Sequence, residues 1–308
     1  MTACGTENAQ TPFQVETTHP RKTSFESVDP ETSGIQFTNI LTESEKMNHG
    51  IYKYLYMGGG VSVGDINNDG LPDIYFTGNQ VSNRLYLNKG GMKFEDVTDQ
   101  ARVGGDDRWM TGTTMADVNN DGLLDIYVSV SGLENTANLL YINNGDTTFT
   151  ESSSTYKLDH KGPTVQTYFF DFDRDGDLDA YIGNYPSTSF SVPNSYYVDK
   201  MDNPSYLESD RLMRNDGGVF TDVSEEAGIL NFGLTLSAAI SDFNADGWPD
   251  VYVSNDLNSP DYLYINQGNG SFKNQLADRL PHVSNFGMGC DAADMNNDGF
   301  IDIMQLDM

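Results

Sequence analysis

Five stretches of this chain carry oxygen-bearing side chains at the same alternating places: Asp65, Asn67, Asp69 and Asp73; Asp117, Asn119, Asp121 and Asp125; Asp171, Asp173, Asp175 and Asp179; Asp242, Asn244, Asp246 and Asp250; Asp294, Asn296, Asp298 and Asp302. Counted from the first Asp these are positions 1, 3, 5 and 9, and position 6 is Gly in every copy. A tightly turned loop aims alternate side chains at one centre, and Gly supplies the positive φ that the reversal demands. Position 7 varies (Leu71, Leu123, Asp177, Trp248, Phe300), as expected of a residue that ligates through its main-chain carbonyl. Hard oxygen donors without His or Cys suit Ca²⁺ better than zinc or copper, and a flexible set of six or seven oxygens suits it better than Mg²⁺. About five calcium sites are therefore expected, one for each of the five loops.

One such loop alone would read equally as an acidic β-turn, because Asn-Asp-Gly is good turn chemistry. Five copies with every ligand position filled favour the metal. An EF-hand is excluded: position 12, where a bidentate Glu belongs, holds Phe76, Val128, Ile182, Val253 and Gln305. Without an ion the crowded carboxylates repel one another. An ion at about a hundred times its dissociation constant adds roughly 2.7 kcal/mol per independent site, so the expected role of the metal is structural.

The elements around the loops follow from the spacing. The loops start at Asp65, Asp117, Asp171, Asp242 and Asp294, a period near fifty residues broken by one longer interval, which signals an array of supersecondary units. Small and apolar stretches such as Gly60-Val61-Ser62-Val63-Gly64 precede each loop, and β-branched and aromatic ones such as Ile126-Tyr127-Val128 follow it. A third strand is expected at Leu85-Tyr86-Leu87-Asn88 and its counterparts, and a fourth at Phe94-Glu95-Asp96-Val97 and its counterparts. Four short strands per unit without a helical stripe make a β-propeller blade. Residues 25–28 read as an outer strand ahead of the first blade, and 302–308 as the middle of a blade, so the sequence reads as part of a longer protein. The expected organisation is a polar tether over 1–24 and an all-β propeller over 25–308.

The loop pattern D-x-[DN]-x-D-G-x-x-D, with the N-x-L-Y-x-N and F-x-D-V-x-x-x-x-G-[IV] strands, resembles the FG-GAP/VCBS repeat family, including integrin α-subunit propellers and the cartilage acidic protein/UnbV-like group. The resemblance covers nearly everything after residue 25, and segments 209–217 and 284–289 look most like the bacterial secreted members. It implies a calcium-stabilised, extracytoplasmic binding module, seven-bladed in the full protein. It names no ligand.

A formal charge of -29 over 308 residues, without a basic stripe, argues against nucleic acid as a partner. Cys290 sits among small residues and reads as a packed thiol. Met1-Thr2-Ala3-Cys4-Gly5 resembles the end of a bacterial lipoprotein signal, which makes Cys4 a lipidation candidate, although the charged and apolar parts of a signal are missing. Membrane attachment would then be through lipid, with a structural subunit of an outer-membrane complex as one role. The third unit carries about eighteen extra residues with Tyr185, Phe190, Tyr196, Tyr197 and Tyr206. These aromatics serve either partner recognition or packing against a neighbour. Gly60-Val61-Ser62-Val63-Gly64 matches the G-x-S-x-G pattern but leads into an acidic loop where a nucleophile elbow needs a helix. The favoured function is binding of a protein or glycan at a cell surface; the alternative is a polysaccharide-active, lyase-like enzyme on a propeller scaffold.

Overall fold

The computed structural model describes residues 25–188, 192–257 and 259–308. A helical turn, α1 (Pro30–Ser33), is capped by the Asp29 carboxylate and ended by Gly34 at φ +81°. The first sheet then runs β1 (Val61–Gly64), β2 (Asp73–Phe76), β3 (Arg84–Asn88) and β4 (Phe94–Asp96), closed by the turn α2 (Thr98–Ala101). The second comprises β5 (Trp109–Ala116), β6 (Asp125–Ser131), β7 (Leu139–Asn143) and β8 (Phe149–Glu151), followed by α3 (Ser153–Tyr156). The third holds β9 (Thr164–Phe170) and β10 (Asp179–Asn184), then the insertion with helix α4 (Asn194–Asp202), then β11 (Arg211–Asn215) and β12 (Phe220–Asp222). The fourth is β13 (Thr235–Ser241), β14 (Asp250–Asn255), β15 (Tyr262–Asn266) and β16 (Phe272–Asn274), followed by α5 (Leu276–Arg279). A pair, β17 (Gly287–Ala293) and β18 (Asp302–Asp307), follows.

Every neighbouring pair within a sheet is antiparallel and consecutive in sequence, so each sheet is a meander, as expected of a blade. The acidic loops join the first strand of each sheet to the second, with the position-9 Asp as the first residue of the second strand. The first strands β1, β5, β9, β13 and β17 stand side by side in that order. The molecule is an all-β, blade-based propeller.

The cores lie between blades, which is why middle strands such as β6 are buried along their whole length. Ile66, Tyr75 and Leu85 of the first blade meet Ile126, Val128 and Tyr141 of the second. Leu140 and Leu158 of the second meet Ile182 and Phe220 of the third. Phe172, Tyr181 and Leu212 pack on Val251, Val253 and Tyr264 of the fourth. Burying both faces of each sheet leaves no alternation of apolar and polar residues in these strands.

One expected strand is missing. Residues 25–28 are irregular, with Phe25 92% exposed, and pair with no strand among the described residues; a strand needs a ladder partner. The sequel does take its place against the first blade: a Cβ on Gly34 would come within 2.5 Å of Phe94 O, and the Phe37 ring stacks on Phe76 at 5.1 Å. The tether over 1–24 lies outside the described residues.

Candidate functional site

The five acidic loops share one internal wiring. The position-1 carboxylate accepts from the main-chain N–H groups of positions 5 and 6: Asp65 from Asp69 at 3.1 Å and Gly70 at 2.7 Å, and Asp242 from Asp246 at 3.1 Å and Gly247 at 2.8 Å. Asp117, Asp171 and Asp294 do the same. Position 5 accepts from the N–H of position 7 at 2.9 Å in all five loops. Asn67, Asn119 and Asn244 at position 3 donate to the position-5 carboxylate at 2.8 to 3.0 Å. These bonds need positive φ at two places, the Gly at position 6 and the residue at position 4: Asn68, Asn120, Arg174, Ala245 and Asn297 lie at φ 57° to 63°. Asn is one of the few side chains that take this conformation readily.

Position 9 is built differently. Asp73, Asp125, Asp179 and Asp250 are fully buried, and each accepts one N–H from position 2 of its loop and another from the Asn that ends the third strand of its sheet. Burial raises the pKa of Asp73 and pushes Asp125 to about 6, Asp179 to about 7 and Asp250 to about 6, against the opposing pull of those N–H bonds. Asp302 of the fifth loop accepts from Met295 N at 3.0 Å and is only half-buried.

The third-strand Asn residues were legible as part of the N-x-L-Y-x-N pattern but carried no assigned role. Their amides tie each loop to the preceding blade: Asn143 Nδ2 donates to Ile66 O at 2.8 Å, Asn215 Nδ2 to Val118 O at 3.0 Å, and Asn266 Nδ2 to Phe172 O at 2.8 Å. The first residue of the same pattern also works as a pair with a second-strand Tyr. Asn83 and Asn138 donate to the hydroxyls of Tyr75 and Tyr127, whereas Asp210 and Asp261 accept from Tyr181 and Tyr252 at 2.6 Å.

The third loop tests whether these residues suit a cation. Asp171, Asp173 and Asp179 bring one carboxylate oxygen each within 4.8 Å of the others, and Asp173 Oδ1 is buried with no hydrogen-bond partner. A buried acceptor without a donor is costly unless positive charge sits beside it. The donor set is all oxygen and fits calcium. Asp177 uses both carboxylate oxygens elsewhere, on Asn120 Nδ2 at 2.7 Å and Gly217 N at 2.9 Å, which leaves its carbonyl for position 7.

The insertion separates the two readings open for its aromatics. Tyr185 and Tyr197 are each 3% exposed and form a core with Phe232 and Leu234, and Tyr196 stands edge-on to Tyr197 and Phe232. They pack against the molecule itself, because their rings seal the gap between the insertion and the fourth blade. Tyr206 is half-exposed, yet it covers the buried Arg211 guanidinium at 3.7 Å and donates its hydroxyl to Asp222. Phe190 and Cys4 lie outside the described residues. Among the described residues of the insertion, Val198 and Leu207 are exposed apolar side chains along with Tyr206.

A segment that received no role, residues 43–57, lies across the same end of the molecule. Tyr52 donates to Ser131 Oγ at 3.1 Å and meets Trp109 edge-on, and the Tyr54 ring lies 3.9 Å from that of Tyr185. A cleft of about 630 Å³ opens between Lys46 and Met47 and the loop residues Gln80, Asp107 and Glu134, with Trp109 at the start of β5.

FG-GAP-like repeats match residues 57–128, 130–182 and 242–304, more than half of the chain. The chain belongs to the FG-GAP-like repeat family. These matches fall on the first, second, third and fourth loops and extend over the fifth. Relatives by whole-sequence similarity are cartilage acidic protein 1 of Mus musculus and of Homo sapiens, each 27% identical over 261 residues, which is 83% of this chain. The same protein of Xenopus tropicalis is 27% identical over 234 residues, or 74% of this chain. The chain spans 38%, 37% and 33% of the length of these curated relatives. The matched repeats cover all five loops, whereas the insertion and residues 43–56 lie outside them.

Proposed function

We propose that this FG-GAP chain is an extracytoplasmic, calcium-stabilised binding module that presents a protein or glycan partner with the end of the propeller opposite the acidic loops. The observation that carries the reading is the wiring of position 9: one buried Asp joins the loop, its own third strand and, through that strand's Asn, the preceding blade. Ions held there would brace the blades, and the partner surface falls to the insertion and the segment over 43–57. Family membership and loops with exposed carboxylates, of the kind that fill at extracellular calcium levels, support an extracytoplasmic setting. No helix among the described residues is long and apolar enough to cross a membrane. A lipid on Cys4, and with it a place in an outer-membrane complex, remains part of the proposal on sequence grounds alone, tested by labelled palmitate incorporation at Cys4 in the full-length protein.

One observation weighs binding against polysaccharide cleavage in the channel. Of the first strands, β1, β5, β9 and β13 contain no Asp, Glu, His, Lys, Arg or Cys, whereas β17 carries Cys290 and the exposed Asp291; the polar side chains of the open cavity of about 400 Å³ along the first strands are Ser62, Thr113, Thr114, Gln166, Thr167 and Tyr168. Burial raises the Tyr168 pKa, and its hydroxyl accepts from Ala238 N at 2.8 Å.

The calcium reading is tested by thermal unfolding with and without EGTA, with metal content measured. Emptying several sites should lower the melting temperature by roughly 10 °C or more; an unchanged value after the metal has left would refute the structural role. Retention of the labelled chain on bacterial cells tests the partner. Loss after periodate identifies a glycan and loss after protease a protein, while no retention on untreated cells counts against the binding role.

A further inference from the structure

Neighbouring loops touch through position 4. Asn68 Nδ2 of the first loop donates to Gly122 O of the second at 3.2 Å. Asn120 Nδ2 of the second donates to Asp177 Oδ1 of the third at 2.7 Å and to Gly176 O at 3.4 Å. From the third loop, the Arg174 guanidinium lies over the Trp248 ring of the fourth at 5.2 Å. In each case the side chain at position 4 reaches positions 6 or 7 of the next loop. These bonds are the described side-chain links between one acidic loop and another, and they run in one direction along the chain.

We propose that Asn68 and Asn120 are positioning residues that couple the loops, so that filling one loop raises the affinity of the loop before it. The inference rests on the calcium reading above. Its physical basis is the placement of position 4 between the ligand residues at 3 and 5. In the second loop Asn120 sits in the left-handed region at φ 58°, flanked by Asn119 and Asp121, which are bonded to each other at 2.9 Å. Anchoring the Asn120 side chain fixes the backbone that aims both ligands. The anchor itself belongs to the third loop, at the Gly and the carbonyl-donating residue whose conformation is set when that loop closes. Ordering the third loop therefore removes part of the ordering cost of the second, which is a coupling free energy and acts equally in both directions. The third loop is the natural starting point because its side-chain ligand positions 1, 3, 5 and 9 are all Asp, whereas every other loop has Asn at position 3, and ligand charge raises affinity.

The test is a thermodynamic cycle read by terbium luminescence in the full chain. Leu123→Trp places at position 7 of the second loop the residue type that the fourth loop carries naturally, and Trp248→Phe silences the fourth, so sensitised emission reports filling of the second loop. Asp173→Asn weakens the third loop without touching the second. Asn120→Gly removes the link with no backbone strain, since Gly accepts positive φ. With Asn120 present, Asp173→Asn should raise the terbium midpoint of the second loop about fivefold, the lower end of ordinary coupling; with Asn120→Gly it should leave the midpoint within about twofold, the ordinary error of additivity. Equal shifts in both backgrounds, as through-space electrostatics would give, overturn the coupling. No shift in either background overturns it too. If neither terbium nor calcium is taken up by any loop of the parent chain, the calcium reading falls and the coupling with it. Circular dichroism of each variant at saturating calcium establishes that the comparison is between folded proteins.

Discussion

The two ends of this propeller are built on opposite plans. At the acidic end the same bonds recur from loop to loop within tenths of an ångström, most span two to seven residues, and the contacts between copies come from a repeated Asn. At the other end the Tyr pairs with Asn83, Asn138, Asp210 and Asp261 recur, but the segments that cover them do not. Tyr54, Tyr185 and Asp256, far apart in sequence, meet in one cluster, and the Arg–Asp pair shows the same divergence. Arg84 and Asp96 of the first blade sit 3.4 Å apart in the open, while their counterparts Arg211 and Asp222 are 3.3 Å apart with the arginine buried beneath Tyr206. An exposed pair of this kind contributes at most about 1 kcal/mol; the buried arginine has two nitrogens without hydrogen bonds and depends on its cover. Repetition makes a scaffold, and departures from it make a surface specific to this chain.

Three substitutions would sharpen or break that contrast. The largest effect is expected at the acidic end from Asp179→Ala, which strips acceptors from Phe172 N and Asn215 N. Two buried donors left unpaired should cost roughly 2–4 kcal/mol by urea unfolding. Most of the loss should persist in EGTA, since these bonds belong to the blade itself; a loss confined to calcium-loaded protein would place Asp179 among the ligands alone. Next comes Asn215→Ala, which orphans Val118 O and Leu178 O and should destabilise by about 1–3 kcal/mol, with hydrogen exchange quickening at the boundary of the second and third blades. Uniform quickening across all blades would show that these joints are not local.

The smallest effect belongs to His160 at the other end, whose pKa is lowered to about 4 by burial and then by the Arg211 charge. The unfolded chain takes up a proton near pH 6.5 and the folded one only near 4. The folded state thus binds fewer protons in that window, and stability falls as pH drops from about 6.5 toward 4. His160→Gln should remove on the order of 1–2 kcal/mol of that acid sensitivity. Identical pH profiles for parent and variant would mean that His160 is hydrated in solution.

The propeller class, the strand order and all five loops were open to inspection in the sequence because each is encoded locally. A period near fifty residues, an alternating set of oxygens and a fixed Gly survive without knowledge of any neighbour. The second strands were visible as apolar runs for the same reason. Which side chains brace the loops was only half visible: Asn88, Asn143, Asn215 and Asn266 stand out as repeats, but their carbonyl partners lie as far as 97 residues away. The role of Tyr185 and Tyr197 was undecidable from composition, since an aromatic suits a partner's surface and an inner core equally well. The fold decided it by bringing Phe232, Leu234 and Tyr54 against them.

By itself, then, the sequence determined the repeating unit, the chemistry of its loop and the number of copies, because those depend on residues a few positions apart whose geometry the local backbone dictates. The tertiary structure alone decided that position 4 of one loop grips the next, that residues 43–57 cross the far end, and that Phe25 finds no strand to pair with. Such contacts close only when blades stand side by side, and their partners are set by the packing of one sheet on another rather than by any pattern along the chain.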